Sequence, residues 1–316
     1  MKDNGALRDR FRGALLGATL GDALGAPFEG AMHVDAAKLE EVLASRRGFL
    51  WYTDDGHLTM ATAQSLIFCG GELDADHMAK TLAEYHAREP HRGYGAGAVR
   101  LFAELRRGRR WEDASAALFG GQGSFGNGGA MRIAPAALIR YRDPKDAASF
   151  AREVARITHA HPVGQDGAAV LAAAQARAVL TGKQCDFAPT LVAELTPIAQ
   201  TRELSQALDT LDTLDKAACV KDVVSALGHG VEAHRSVPAA IYAVLRHPES
   251  FAEVVRFAIS LGGDTDTVAS MAAALSGGYL GASAIEPGWR KRLERAETFE
   301  RMADSLYELA AGRGVS

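Results

Sequence analysis

At 316 residues the chain can bury a substantial core, as one large domain or two of average size. A formal net charge of −4 excludes the basic footprint of a nucleic-acid binder, and the 33 glycines are dispersed, with no low-complexity tract or fixed-period repeat. The isolated cysteines Cys69, Cys185 and Cys219 form no CxxC pair, which argues against a disulfide framework and structural zinc and favours a reducing cytoplasm.

Taken in chain order, residues 8–26 imitate a signal peptide, with arginines followed by GALLGATLG. Asp22 interrupts the apolar stretch, however, and Asp3 and Asp9 spoil a basic start. Helical periodicity then recurs over 56–69, 74–87, 95–107, 112–119, 129–140 and 145–158. In 163–180 alanine fills the positions between apolar residues, which favours helix. Residues 182–218 carry scattered charges and read as peripheral helices, 203–213 among them. Ser236 and Pro238 give a start signal for a helix over 237–246. The amphipathic stretch 250–261 follows, and a helix from Asp264 or Thr265 runs to about Tyr279. Residues 267–285 lack charge and approach membrane-spanning length. They are rich in Ala, Gly, Ser and Thr and flanked by Asp266 and Glu286, so they read as a helix buried in a soluble core. A last helix is expected over 289–311. Alternating β-branched runs are almost absent, so the fold class is all-α, about a dozen helices in one compact domain spanning 1–316.

Residues 120–129, GGQGSFGNGG, contain a literal GxGxxG at Gly121, Gly123 and Gly126. A dinucleotide fold needs a strand before that motif, and the preceding WEDASAALF is helical. A P-loop fails too, because no Gly-Lys-Ser/Thr follows. What remains is a loop of exposed backbone N–H groups suited to a diphosphate, with Ser124 and Asn127 as side-chain donors and Phe125 as a stacking face. The competing reading is a helix connection that merely needs tight turns.

Two acidic clusters, Thr53-Asp54-Asp55 and Asp264-Thr265-Asp266-Thr267, lie about 210 residues apart. Taken singly, each reads as a helix cap. A cap uses one oxygen-bearing residue, though, and each cluster has two carboxylates and at least one threonine. Adjacent carboxylates repel unless a cation or proton compensates, and the helix after Asp266 is too apolar to bury them unaided. Brought together, the clusters form a hard-oxygen site for Mg²⁺, Mn²⁺ or Ca²⁺ rather than Zn²⁺. Such a site beside a phosphate-binding loop points to a phosphorylated or nucleotide-like substrate; a divalent-metal phosphohydrolase also fits these residues.

The ordered set RFRGALLGATLGDALGAPFE (10–29), YTDD (52–55), RGYG (92–95), GSFGNGGAMR (123–132), THAHPVGQDGA (158–168) and SLGGDTDT (260–267) resembles the ADP-ribosylglycohydrolase family, the group of dinitrogenase reductase-activating glycohydrolase, from residue 8 to about 290. The wording RGYGAGAV, GSFGNGGAMRIA and SVPAAIYAVLR is most similar to its acceptor-hydrolase 3 branch. The resemblance implies a compact orthogonal helix bundle with a binuclear Mg²⁺ centre at one end, Mn²⁺ being an alternative. It implies Thr53, Asp54, Asp55, Asp264, Asp266 and Thr267 as ligands, with Asp266 bridging, and Glu29, Asp55 and Asp264 as catalytic groups. Gly123, Ser124, Phe125, Gly126, Asn127, Gly129, Met131 and His159 would bind substrate. By itself His159 would read as a histidine complementing a helix C-terminus. The implied reaction is hydrolysis at C1″ of O-linked ADP-ribose on serine, in poly(ADP-ribose) or in O-acetyl-ADP-ribose. The alternatives are an arginine-ADP-ribose hydrolase or a non-catalytic ADP-ribose-binding regulator. Partners would be ADP-ribosylated proteins or small molecules containing ADP-ribose, without nucleic acid or membrane. The chain departs from the family wording at Gly56-His57, where Gly56 is expected to loosen the turn and His57 to reach the cleft, and at HPVGQD (161–166).

Overall fold

The computed structural model describes residues 4–184 and 187–312, so Cys185 lies outside the described residues. Cys69 and Cys219 are free thiols. The first half comprises α1 (Asn4–Gly25), α2 (Ala36–Ala44), α3 (Asp54–Phe68), α4 (Ala75–Arg88), α5 (Ala96–Arg106), α6 (Trp111–Ala116), α7 (Ala134–Ile139) and α8 (Pro144–Arg156). The second comprises α9 (Pro162–Thr181), α10 (Leu191–Leu195), α11 (Arg202–Thr213), α12 (Val220–Leu227), α13 (Ala233–Arg246), α14 (Phe251–Ser260), α15 (Thr265–Leu280), α16 (Pro287–Arg292) and α17 (Ala296–Gly312). Two isolated bridges, Leu50–Leu293 and Gly126–Glu232, are the only β-type pairing among the described residues, so the fold is all-α. The count exceeds a dozen because α6, α7, α10, α12 and α16 have eight residues or fewer, too short to print a clear apolar period.

The centre of the molecule is an antiparallel pair, α1 against α15. Every residue of α15 is buried. On α1, glycine recurs every fourth residue at 13, 17, 21 and 25, which places the four on one face. A Cβ added to Gly13, Gly17, Gly21 or Gly25 would lie 2.2, 2.3, 2.1 or 2.5 Å from the carbonyl oxygen of Gly277, Ala273, Ala269 or Thr265. Small residues here let the two backbones touch. The uncharged stretch at 267–285 is therefore interior helix, and no helix among the described residues is long and apolar enough to cross a membrane.

Several expected boundaries shift. The expected helix over 289–311 is broken between α16 and α17. Leu50 donates to Arg292 O (2.9 Å) and Glu294 donates to Leu50 O (3.0 Å), which pulls the chain out of the helix, and Arg295 follows at φ 55°. Helix α13 starts at Ala233 rather than 237, because Ala233 N–H pairs with Phe125 O (3.1 Å) of the glycine loop; Pro238 therefore sits inside the helix. The expected helix over 129–140 is only α7, preceded by a 3₁₀ turn at Asn127–Gly129.

Gly17→Ala should destabilise the protein by about 2 kcal/mol, the usual scale for overpacking a tight core. Gly288→Ala, in an open position of α16, should change stability by less than about 1 kcal/mol. Urea unfolding midpoints check both.

Candidate metal centre and ligand cleft

The antiparallel pairing brings the C-terminus of α1 to the N-terminus of α15. A 3₁₀ turn at Ala26–Phe28 leads out of α1 to Glu29. Gly30 N–H then donates to Gly263 O and Gly263 N–H to Ala31 O, both at 2.8 Å, while Asp264 N–H donates to His229 O (2.9 Å). Gly262 and Gly263 both have φ near +70°, and a Cβ on Gly263 would meet His229 O at 2.3 Å, so this crossing demands glycine. Carboxylate oxygens of Glu29, Asp264 and Asp266 consequently lie within 4.8 Å of one another, a group that could hold a metal ion.

The second cluster arrives on α3. Thr267 Oγ1 donates to Asp55 Oδ1 (3.4 Å), joining the two clusters directly. Asp55 is buried, and its Oδ2 has no hydrogen-bond partner. Asn127 Nδ2 donates to Asp264 Oδ2 (2.5 Å), tying in the glycine loop. Thr53 caps α3 but stands outside the cleft: its hydroxyl donates to Asp22 Oδ1 (2.8 Å).

Asp22 is a site residue that sequence reasoning missed. It is wholly buried on α1 and accepts from Thr53 N–H (2.9 Å), Thr53 Oγ1 and Gly56 N–H (2.8 Å), so it clamps the start of α3 onto α1. The available signal was the charge itself: one carboxylate in an apolar helix is costly unless hydrogen-bonded. Gly56 does not loosen the turn. A Cβ there would strike Tyr52 Cβ at 2.8 Å and its ring at 2.9 Å, and the Gly56 N–H serves Asp22. Nor does His57 reach the cleft. It is buried beneath Tyr52 and Tyr85, with Nδ1 2.6 Å from Tyr94 Oη, and burial lowers it to about 4, leaving it neutral.

The acids raise one another. Burial, opposed by its three hydrogen bonds, pushes Asp22 up to about 7. Burial and Asp22 push Asp54 to about 7, and burial and Asp264 push Asp266 to about 9. Asp55 is raised by burial, then by Asp22 and Asp266. Glu29, exposed at the rim, is raised by partial burial and then by Asp264. An orphaned buried oxygen among mutually repelling carboxylates is the environment a hard divalent cation relieves, so these residues fit one.

From the acids a cleft of about 410 Å³ extends past Ser124, Phe125, Gly126, Asn127, Gly128, Met131 and His159. The loop is pinned by Asn127 N–H to Val231 O (2.8 Å) and by Gly126 N–H to Ser124 Oγ (3.2 Å). Gly123 and Gly129 shape the loop from behind. Gly123 has φ 76° and packs on the Ala160–His161 backbone, and Gly129 packs on Ala155 and His159. His159 is pushed down to about 3 by burial and by Arg132, so it faces the loop as a neutral ring. At the far end Phe119 and Phe125 stand with ring centroids 6.5 Å apart, both exposed. Phe119 went unread because its helix, expected over 112–119, ends at Ala116, and a φ of 49° turns its ring to the mouth.

Because the folded state holds protons that the unfolded chain has already lost, the metal-free protein should lose stability as pH rises from the ordinary carboxylate value of 3.8 through about 9. A divalent cation should flatten that fall, and Asp55→Asn should raise the melting temperature of the metal-free protein at pH 8. Thermal melts with chelator and with added cation read all three effects.

A family model described as ADP-ribosylglycohydrolase matches residues 3–315. The chain is similar to ADP-ribosylhydrolase ARH3 of Gallus gallus, at 36% identity over 95% of this chain and 93% of that protein, and to ARH3 of Homo sapiens, at 35% identity with the same coverages. It is 28% identical to ADP-ribosyl-[dinitrogen reductase] glycohydrolase of Rhodospirillum rubrum, covering 96% of this chain and 98% of that one. A solved structure titled ADP-ribosylglycohydrolase-related protein complex superposes with a TM-score of 0.75 at 27% identity, covering 97% of this chain and 99% of that chain. With its acid cluster, pinned glycine loop and all-α core, the chain belongs to the ADP-ribosylglycohydrolase family, a family of hydrolases.

Proposed function

We propose that residues 1–316 form one domain that hydrolyses the C1″ glycosidic bond of O-linked ADP-ribose, on serine, in poly(ADP-ribose) or in O-acetyl-ADP-ribose, with Mg²⁺ as its metal. The carrying observation is the meeting of five carboxylates, Glu29, Asp54, Asp55, Asp264 and Asp266, at one end of a cleft that a glycine loop and two aromatic rings complete. The O-linked preference is supported by the similarity to the two ARH3 proteins over nearly the whole chain.

Thr53, Asp54 and Asp55 on one side and Asp264, Asp266 and Thr267 on the other would hold the metal; Thr53 would contribute only by releasing Asp22. Bound there, Mg²⁺ would supply hard Lewis acidity to the vicinal hydroxyls of the distal ribose. The adenine stacks on the exposed aromatic face that Phe119 and Phe125 form, and the loop at 123–129 presents N–H groups to the diphosphate. Met131 and Gly129 back that loop, and His159 faces it as a neutral hydrogen-bonding group. Glu29, whose raised affinity for protons suits a general acid, protonates the leaving oxygen as the C1″–O bond breaks. The oxocarbenium charge faces Asp55 and Asp264, and water adding to C1″ returns its proton to Glu29. Reaction partners are ADP-ribosylated proteins and small ADP-ribose conjugates, met in the cytoplasm.

Asp266→Ala should lower ADP-ribose release by more than about 100-fold, and chelation should do the same to the wild type. Chromatography of the products decides the chemistry, since AMP in place of free ADP-ribose would identify a phosphohydrolase. Faster release from arginine-linked than from serine-linked substrate would overturn the O-linked preference.

A further inference from the structure

Gly93 is a wall shared by two depressions. On one side lies the ligand cleft, with Asp54 Oδ1 3.8 Å from where a side chain on Gly93 would begin. On the other lies a surface depression of about 580 Å³, lined by Trp51, Arg88, Pro90 and His91 with Tyr52 and Arg92 at its base. The base is braced. Arg92 donates to Tyr52 O (2.8 Å), to both oxygens of Glu294 (2.6 and 2.7 Å) and to Glu89, and lies 4.2 Å from the Tyr52 ring centre. Arg295 completes the knot through Glu89 (2.7 Å) and Tyr52 Oη (2.8 Å). Two guanidinium groups thus balance two carboxylates, and the base carries no net charge.

The rim differs from the base. Trp51 is 61% exposed and tilts against Phe49, 67% exposed, with ring centroids 5.7 Å apart. Lys80 and Arg88 share the one carboxylate of Glu84 at 3.9 and 3.6 Å, which leaves a positive charge over. An exposed indole and the Arg88 guanidinium lining one depression suit an aromatic anion, with a base to stack and phosphates to neutralise. A peptide chain would gain little from that pairing. Trp51 is also close in chain terms, three residues and so at most about 10 Å of extended backbone from Asp54.

We propose that this depression is an acceptor-side nucleotide subsite. When the group beyond the scissile bond is itself an ADP-ribose unit, its adenine stacks on Trp51 and its phosphates lie toward Arg88 and His91. The inference rests on reading the main cleft as the site of the departing ADP-ribose. It makes the enzyme prefer polymer ends to single modifications through binding on the far side of the bond.

Steady-state kinetics on three substrates test it: an ADP-ribose dimer, O-acetyl-ADP-ribose and a serine-ADP-ribosylated peptide. Trp51→Ala should raise KM for the dimer about tenfold, the size of one lost base–aromatic stack, with kcat unchanged. Trp51→Phe should restore most of the loss, and Arg88→Glu should raise the dimer KM as well. O-acetyl-ADP-ribose turnover should stay within about twofold of wild type, since its acceptor has nothing to stack. An unchanged dimer KM would overturn the subsite, and so would an equal loss on the peptide, which would mark a peptide-binding surface instead. Wild-type release from O-acetyl-ADP-ribose reports on the main cleft alone, so failure of the underlying reading is seen separately.

Discussion

The backbone contact between α1 and α15 is the constraint on which the other features of the site depend. Glycine at every fourth position lets the helices touch, and the last glycine of the series, Gly25, would place a Cβ 2.6 Å from the Asp266 Cα. The chain leaving α1 has nowhere to go but past the start of α15, where the Gly30–Gly263 and Gly263–Ala31 hydrogen bonds hold it. Glu29 and Asp266 are neighbours because two helices far apart in sequence pack without side chains between them. Larger residues at 17 or 21 would separate the helices and, with them, the carboxylates.

That placement works against stability locally. Four of the five carboxylates at the cleft end, along with the buried Asp22, are half-buried or fully buried, and each raises its neighbours. Two features offset part of the cost. Helices α3 and α15 both begin at the cluster, so the positive ends of two helix dipoles point at the acids. Asp22 takes three hydrogen bonds from the first turn of α3, which satisfies one carboxylate completely. The oxygen left over, Asp55 Oδ2, is where protein groups run out and a proton or a cation would compensate.

The helices were legible because apolar period reports burial directly, and the long ones print several turns of it. The acid clusters were legible because two carboxylates and hydroxyls within four residues exceed what a cap requires. Asp22, Phe119 and the Arg92 knot were hidden for a different reason. Their roles come from partners distant in sequence: Thr53 and Gly56 for Asp22, Phe125 for Phe119, Glu294 and Tyr52 for Arg92. Periodicity carries no information about such pairings. His57 shows the converse, since a histidine beside a metal-type motif invites a functional reading, yet helix geometry turns it to the Tyr94 side.

The two ends of the cleft differ in chemistry, and this gives a bound ligand a direction. Arg132 is fully buried beneath the glycine loop, held by Thr158 Oγ1 (2.8 Å), Val154 O (3.3 Å) and Thr62 Oγ1 (3.4 Å), with no carboxylate among those partners. Burial lowers it only to about 10, so it stays cationic at neutral pH. Thr158 accepts from Arg132, and its own proton lies better toward His159 Nδ1 at 2.8 Å than toward Ala155 O at 3.5 Å. That arrangement leaves the His159 Nε2 proton toward Gly126 and Gly128, the glycines nearest that nitrogen. A buried cation, a neutral N–H donor and the loop amides therefore face one stretch of the cleft, and the acids face the other. A diphosphate is drawn to the first, whereas ribose hydroxyls suit the second. On the proposed reading the diphosphate, at the middle of ADP-ribose, meets the first stretch, and the hydroxyl-bearing ribose end rather than the adenine end meets the acids.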